Sequence, residues 1–445
     1  MKQHWLPLLT IAIVVASTFM VGSTLGAVLQ SSASAGPSEF AAPLTHQSFA
    51  DRADAVIDRL QRRVSSLPDD AGAWTALGGA YLGKAREAAD ARLYGKAEEA
   101  FTTALQQDSS AVEAMAGLGQ LALARHQFAE ALEWGERART ITPAAPAVHG
   151  VLGDAYVELG RFDEAFTAFQ TMVDLRPDLS SYARASYARE LLGNIDGAIE
   201  AMALAARAGG IVGEPAAWAC VQLGNLLWDY RADAAAAQSE YERALFAYPD
   251  YAAAHAGLAR VAAGQGDLPG ALLRATNAVT YQPTTEHLIL LADVLQAAGR
   301  PAEAARQRAL VRSVDALSTA SGADSDLEMA EFDADLAFEP DATFAAAKAA
   351  HARRPGAKAA EVLAWAAFRA GAIPEAQAAI AAPLALGVSH PLTLYRAAAI
   401  AAAAGQRDEA LALVDRALAA NPTFSIRYAE EAARLRDALQ TGVAQ

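Results

Sequence analysis

Cysteine is nearly missing: Cys220 is the one cysteine in 445 residues. That excludes a disulfide framework within the chain and any multi-cysteine metal site. Aromatic residues make up only 7% and β-branched runs are few, which excludes an all-β chain. Lysine is scarce, five residues against 31 arginines, which reads as genome bias rather than function. Positive charge is in deficit, and a net charge of −15 argues against a nucleic-acid partner. The histidines are scattered, with no HExxH and no GxSxG, so neither a zinc helix nor a nucleophile elbow is present. Nothing in sequence pairs Cys220 with a base. It stands four residues before Gly224, a helix-packing position, and reads as a buried structural thiol. No catalytic residue, cofactor or metal is assigned, and the chain is expected to be no enzyme. What is abundant is alanine, 115 of 445. With 53% hydrophobic residues the chain is no disordered acidic tail, and this composition points to closely packed helices.

Residues Leu6 to Leu29 carry no charge. As a helix this run spans roughly 36 Å, enough for a bilayer core of about 30 Å. Lys2 precedes it, and no Lys or Arg follows until Arg52. The positive-inside bias therefore leaves the bulk of the chain outside the cytoplasm. Residues 1–35 are either a retained signal-anchor, favoured by length, or a cleaved signal peptide, favoured by the small-x-small site Ala33-Ser34-Ala35. The expected location is extracytoplasmic, membrane-anchored or secreted after cleavage near Ala35. Residues 36–47 read as a flexible linker.

The remainder repeats. Pro143 and Pro177 are 34 residues apart, as are Pro249 and Pro283; Leu118-Gly119 and Leu152-Gly153 keep the same period. The clearest unit, Pro146 to Pro177, reads Leu152-Gly153, Tyr156, Gly160-Arg161-Phe162-Asp163-Glu164-Ala165, Phe169, Pro177. Small Gly153 and Ala165 let two helices cross closely. Leu152, Tyr156 and Phe169 fill the space between helices. Gly160 ends the first helix in a left-handed turn, and Pro177 stops the second. Further units carry Leu77-Gly78, Leu223-Gly224, Leu258-Ala259, Leu291-Ala292, Leu363-Ala364 and Leu394. About seven extra residues near Glu87–Tyr94 should lengthen the helices or turn of the first unit.

The period and the signature residues of the third unit resemble the tetratricopeptide repeat. The resemblance covers about residues 50–440, and the whole chain looks like secreted or membrane-anchored bacterial members of unassigned role. It implies an all-α, right-handed superhelical solenoid of about ten helix-turn-helix repeats. The first array spans 48–317, an irregular acidic connector 318–340, and C-terminal repeats with a capping helix 341–445. In the capping helix Arg427, Glu430, Glu431, Arg434, Arg436 and Asp437 are expected to be exposed.

The resemblance also implies a non-catalytic scaffold that binds a protein or peptide partner in its concave groove. A carrier or assembly role for envelope glycans or a secretion complex is the alternative. The family's inward positions select Gln120, Asp154, Arg184, Tyr187, Asn225, Trp228, Arg260 and Asp293. These are either ordinary solvated positions or a partner-binding face, with Trp228 as its aromatic anchor. The Lys/Asn carboxylate clamp of chaperone-binding members is not reproduced.

Two stretches imitate chemistry. Gly78 to Ala85 nearly matches a phosphate loop but lacks the Ser/Thr for magnesium and sits inside a first helix. Asp324 to Asp341 holds eight carboxylates and no base. Its sixth loop position is Met329 rather than Gly, unlike a calcium loop. Glu328, Glu331 and Asp335 share one helix face, which reads as solvated, with a divalent-cation or basic-partner site as alternatives.

Overall fold

A computed structural model of the chain describes residues 46–441. The apolar run Leu6–Leu29 and the cleavage site near Ala35 lie outside these residues. Among the described residues there are twenty-two helices and no strand, and no helix is long and apolar enough to cross a membrane.

After α1 (His46–Ser66), ten antiparallel helix pairs follow one another. They are α2 (Ala71–Ala88) with α3 (Leu93–Gln107), α4 (Val112–Ala124) with α5 (Phe128–Ile141), α6 (Pro146–Glu158) with α7 (Phe162–Leu175), and α8 (Leu179–Leu191) with α9 (Ile195–Ala208). Next come α10 (Glu214–Arg231) with α11 (Ala234–Ala247), α12 (Ala252–Gly264) with α13 (Leu268–Tyr281), and α14 (Thr285–Ala297) with α15 (Pro301–Ala320). The last three are α16 (Asp326–Asp335) with α17 (Pro340–Arg353), α18 (Ala357–Arg369) with α19 (Ile373–Leu386), and α20 (Pro391–Ala403) with α21 (Arg407–Ala420), before the cap α22 (Ala429–Thr441). The extra residues of the first pair make α2 eighteen residues long.

One device builds the pairs. A ring from the second helix lies on the glycines of two successive first helices. Phe101 lies on Gly78 and Gly117, and Tyr241 on Gly224 and Gly257; a Cβ at Gly117 would stand 2.3 Å from the Phe101 ring. Phe169 lies on Gly153 in the same way. Glycine is tolerated mid-helix here, at a cost of up to about 1 kcal/mol each, because only it admits the ring. Asp178 closes a capping box with Ser181 at the start of α8, and Asp70, Asn194, Asp233 and Asp267 accept the corresponding backbone N–H at other starts. Tyr156 is buried in the core and donates to Glu136 Oε1 at 2.6 Å. Tyr156→Ala is expected to cost about 2–4 kcal/mol in a denaturant titration; an unchanged midpoint would show that this ring is not part of the packing.

The pairs coil so tightly that each turn of the superhelix rests on the one before. The contacts recur at a nearly constant offset. Asp324 N donates to Arg125 O at 2.9 Å, and the Asp324 carbonyl meets His126 Nδ1 across 198 residues. Gln282 Nε2 donates to Arg86 O across 196, and Asn421 Nδ2 to Trp228 O across 193. Gly160, at φ +70°, lies so near Pro355 that a Cβ would stand 2.7 Å from the Pro355 carbonyl oxygen. Gly193 meets the Gly387 carbonyl similarly. With a 34-residue unit, nearly six pairs complete a turn. Apolar contacts seal the seam: Ala357, Leu386 and Val388 pack with Val157 and Leu191. His126 adopts a left-handed backbone, φ 59°, that a non-glycine residue disfavours by roughly 1 kcal/mol. Its bond to Asp324 and its stacking on Phe128 hold it there.

The stretch 318–340 departs from an irregular connector. It contains the end of α15, which runs to Ala320, a short turn and the ten-residue α16, which together continue the pairing. Its carboxylates are also not a solvated face. Glu328 accepts from Arg354 at 2.8 Å, Glu331 from Lys358 at 2.6 Å and Arg396 at 2.7 Å, and Asp335 from Trp365, Arg396 and Tyr428. The reason lies in the units that follow: Arg354 comes just after α17, Lys358 and Trp365 stand on α18, Arg396 on α20, and Tyr428 just before α22. Arg427 is likewise not exposed; it pairs with Asp293 at 2.5 Å and donates to Asp335 O at 3.0 Å.

Candidate functional site

First helices of both turns, with the loops beside them, enclose a cavity of about 830 Å³ along the axis of the coil. One side comes from α6, α8, α10, α12 and α14, the other from α16, α18 and α20 with the segment 423–427. The second turn adds a wall opposite the first helices where a looser solenoid would leave an open groove, and the cavity between them stays partly open.

Of the eight positions taken from the repeat pattern, Tyr187, Trp228, Arg260 and Asp293 line this cavity and Gln120, Asp154, Arg184 and Asn225 do not. Gln120 is half-buried on α4. Asp154 and Arg184 form a buried ion pair between α6 and α8, with Arg184 Nη2 2.5 Å from Asp154 Oδ2. Burial pushes the Asp154 carboxyl up from its ordinary value even against that partner. Asn225 accepts from the Tyr241 hydroxyl at 2.8 Å. Arg260 is paired with Asp229, and Asp293 with Arg427. Trp228 is only 3% exposed, with its ring against Gly264 and its carbonyl capped by Asn421. It is a packing residue of the wall, with little surface to offer as an anchor. Cys220 is a buried free thiol, pushed up to about 11 chiefly by burial.

The features that sequence reading missed are the carboxylates of the wall. Glu158, at the end of α6, is 7% exposed and has neither a hydrogen bond nor an ion pair among the described residues. Burial pushes it up to about 7, partly offset by Arg354 and reinforced by Glu328 and Asp154. Glu190, on α8, receives the Tyr230 hydroxyl at 2.7 Å on Oε1, while its buried Oε2 has no partner. Burial raises it to about 7 as well. Arg354 is the cation that acts on Glu158, but it spends its Nη2 on both oxygens of Glu328. No local pattern marks these residues, since Glu158 and Glu190 look like ordinary charged helix ends until the second turn covers them.

A pH dependence follows. In the unfolded chain these carboxyls ionise near 4.5, whereas folded Glu158 and Glu190 hold their protons to about 7. Between those values the folded state binds more protons, so stability falls as pH rises through that window. Glu158→Gln should flatten this part of the curve and stabilise the protein at pH 8 by on the order of 2 kcal/mol. Thermal unfolding from pH 4.5 to 8 checks this, and a wild-type slope in the variant would contradict it.

The tetratricopeptide repeat family matches residues 82–146 and 222–282 with one profile and residues 122–192 with a second. The chain is a tetratricopeptide repeat protein. Among solved structures it is similar to a tetratricopeptide repeat protein from Parabacteroides merdae, at 14% identity over 55% of this chain and 94% of that one, TM-score 0.41. It is also similar to the human IFIT1 dimer with PPP-AAAA, at 14% identity over 77% and 81%, TM-score 0.46. A third is PilW, a type IV pilus biogenesis factor, at 20% identity over 46% and 93%, TM-score 0.37. No curated protein matches the chain.

Proposed function

We propose that the protein is an exported, non-catalytic tetratricopeptide scaffold that holds a protein or peptide partner on its first-helix face. The observation that carries this reading is the wall of the 830 Å³ cavity, where Tyr187, Arg260 and Asp293 meet on one surface. With both turns walling the cavity, a partner segment enters along the axis. Export rests on the uncharged run Leu6–Leu29 following Lys2.

A crosslinked pull-down from membranes, read by mass spectrometry, names the partner. Tyr187→Ala should then reduce its capture by about tenfold or more. Unchanged capture in that variant, together with loss in Leu273→Asp on the exposed face of α13, would move the binding surface outward. A reporter fused after residue 50 should be active only outside the cytoplasm; cytoplasmic activity refutes export.

A further inference from the structure

We infer that the axial cavity binds an organic cation carrying alkylammonium groups, held by Glu158 on α6 and Glu190 on α8. This goes beyond the scaffold reading and does not need a protein partner.

The wall holds nine carboxylates and four Arg or Lys side chains. The four cations are already engaged: Arg260 by Asp229, Arg354 by Glu328, Lys358 by Glu331 and Arg427 by Asp293. What the wall leaves unmatched is acceptors. Glu158 is more than nine-tenths buried as a residue, and its oxygens open on the cavity without a protein donor. Glu190 Oε2 is buried and receives none either, although Tyr230 satisfies Oε1. A buried carboxylate oxygen without a donor, as at Glu190 Oε2, is costly, and native interiors rarely keep one unless something else supplies the donor. That oxygen, together with a second carboxylate that opens on the same cavity without a protein donor, points to a ligand with N–H donors and positive charge.

The geometry also selects the kind of cation. No group of three His, Cys, Asp or Glu among the described residues is arranged to hold a metal ion. Glu158 and Glu190 sit on different helices and face different neighbours. Glu158 lies beside Arg354 and Glu328, and Glu190 beside Tyr230 and His390. A single ion cannot serve both. A ligand whose ammonium groups are separated by hydrocarbon can, with the half-buried Tyr187 ring in the same wall to cover methylenes and charge. The cavity volume is that of a small organic molecule rather than an ion.

This chemistry occurs in free polyamines and in lysine side chains. The test is calorimetric titration of the full chain with three probes at low salt. They are spermidine, a capped hexapeptide alternating glycine and lysine, and the same peptide with glutamine for lysine. Spermidine or the lysine peptide should bind, and the glutamine peptide should not. Spermidine binding alone identifies a free polyamine as the source, and lysine-peptide binding alone a side chain; either outcome supports the site. Glu158→Gln and Glu190→Gln should each weaken binding about tenfold or more, while Glu409→Gln, exposed on α21, changes it less than about twofold. The inference is overturned if wild type responds to both cationic probes no more than to sodium chloride of equal ionic strength. It is equally overturned if both cavity variants fold and bind like wild type.

Discussion

Arg396→Leu is expected to destabilise the folded chain by about 3–5 kcal/mol, the range for removing one partner from a buried charge network. Arg396 is fully buried on α20. Its Nη1 donates to Glu331 Oε1 at 2.7 Å and Glu361 Oε1 at 2.5 Å, and its Nη2 to Asp335 Oδ1 at 3.0 Å. Its guanidinium also lies 5.5 Å from the centre of the Trp365 ring. Burial pushes Glu331 up, but Lys358 and Arg396 outweigh it and hold this carboxyl down to about 2. Leucine would leave three carboxylates from α16 and α18 facing one lysine, and they would take up protons instead. The deficit should therefore shrink as pH is lowered toward 4. Arg396→Lys should not restore the loss, because an ammonium cannot reach three carboxylates in a planar fork. Denaturant titrations at pH 5 and pH 8 measure both effects. A loss below about 1 kcal/mol at pH 8 would mean the carboxylates find other donors.

The second large effect concerns the ring on two glycines. Tyr241→Ala should cost about 3–5 kcal/mol, because Tyr241 is fully buried between α10, α11 and α12. Gly257→Ala alone should also be destabilising, by about 1–3 kcal/mol, since its Cβ would stand 2.4 Å from that ring. Combined, the two should cost less than Tyr241→Ala alone. The methyl group enters space the ring has left, and alanine favours the helix by up to about 1 kcal/mol. A double-mutant cycle reads this coupling. Simple addition of the two costs would show that ring and glycine do not share the space.

Much that depends on neighbouring units could be read from the amino-acid order. The 34-residue spacing, the close crossing at Gly153, the left-handed turn at Gly160, the burial of Tyr156 and the inert Cys220 all express contacts within one or two repeats. The seam could not be read. Pro355, Gly387 and Asn421 find partners nearly 200 residues away, and no periodicity within a repeat encodes that approach. Reading each helix face alone misplaced Glu328, Glu331, Asp335 and Arg427, whose partners stand 26 to 134 residues away on other units. It also set Trp228 on an open groove wall, although four of the eight inward positions do line the enclosed space.

The near-constant offset of the seam has a consequence for how the protein comes to be made. Contacts inside a pair and between adjacent pairs need only short stretches of chain and form early, while closing a loop of almost 200 residues adds an entropic cost and comes late. A ribosome delivering the chain from its N-terminus completes most of six pairs before Gln282 is available to meet Arg86. The partners of Arg125 and Trp228 emerge only later, with Asp324 and Asn421. Through that interval the nascent protein is an open spring whose inner surface is reachable from the side. Whatever is to be enclosed on the axis has its widest access then, before the second turn settles on the first.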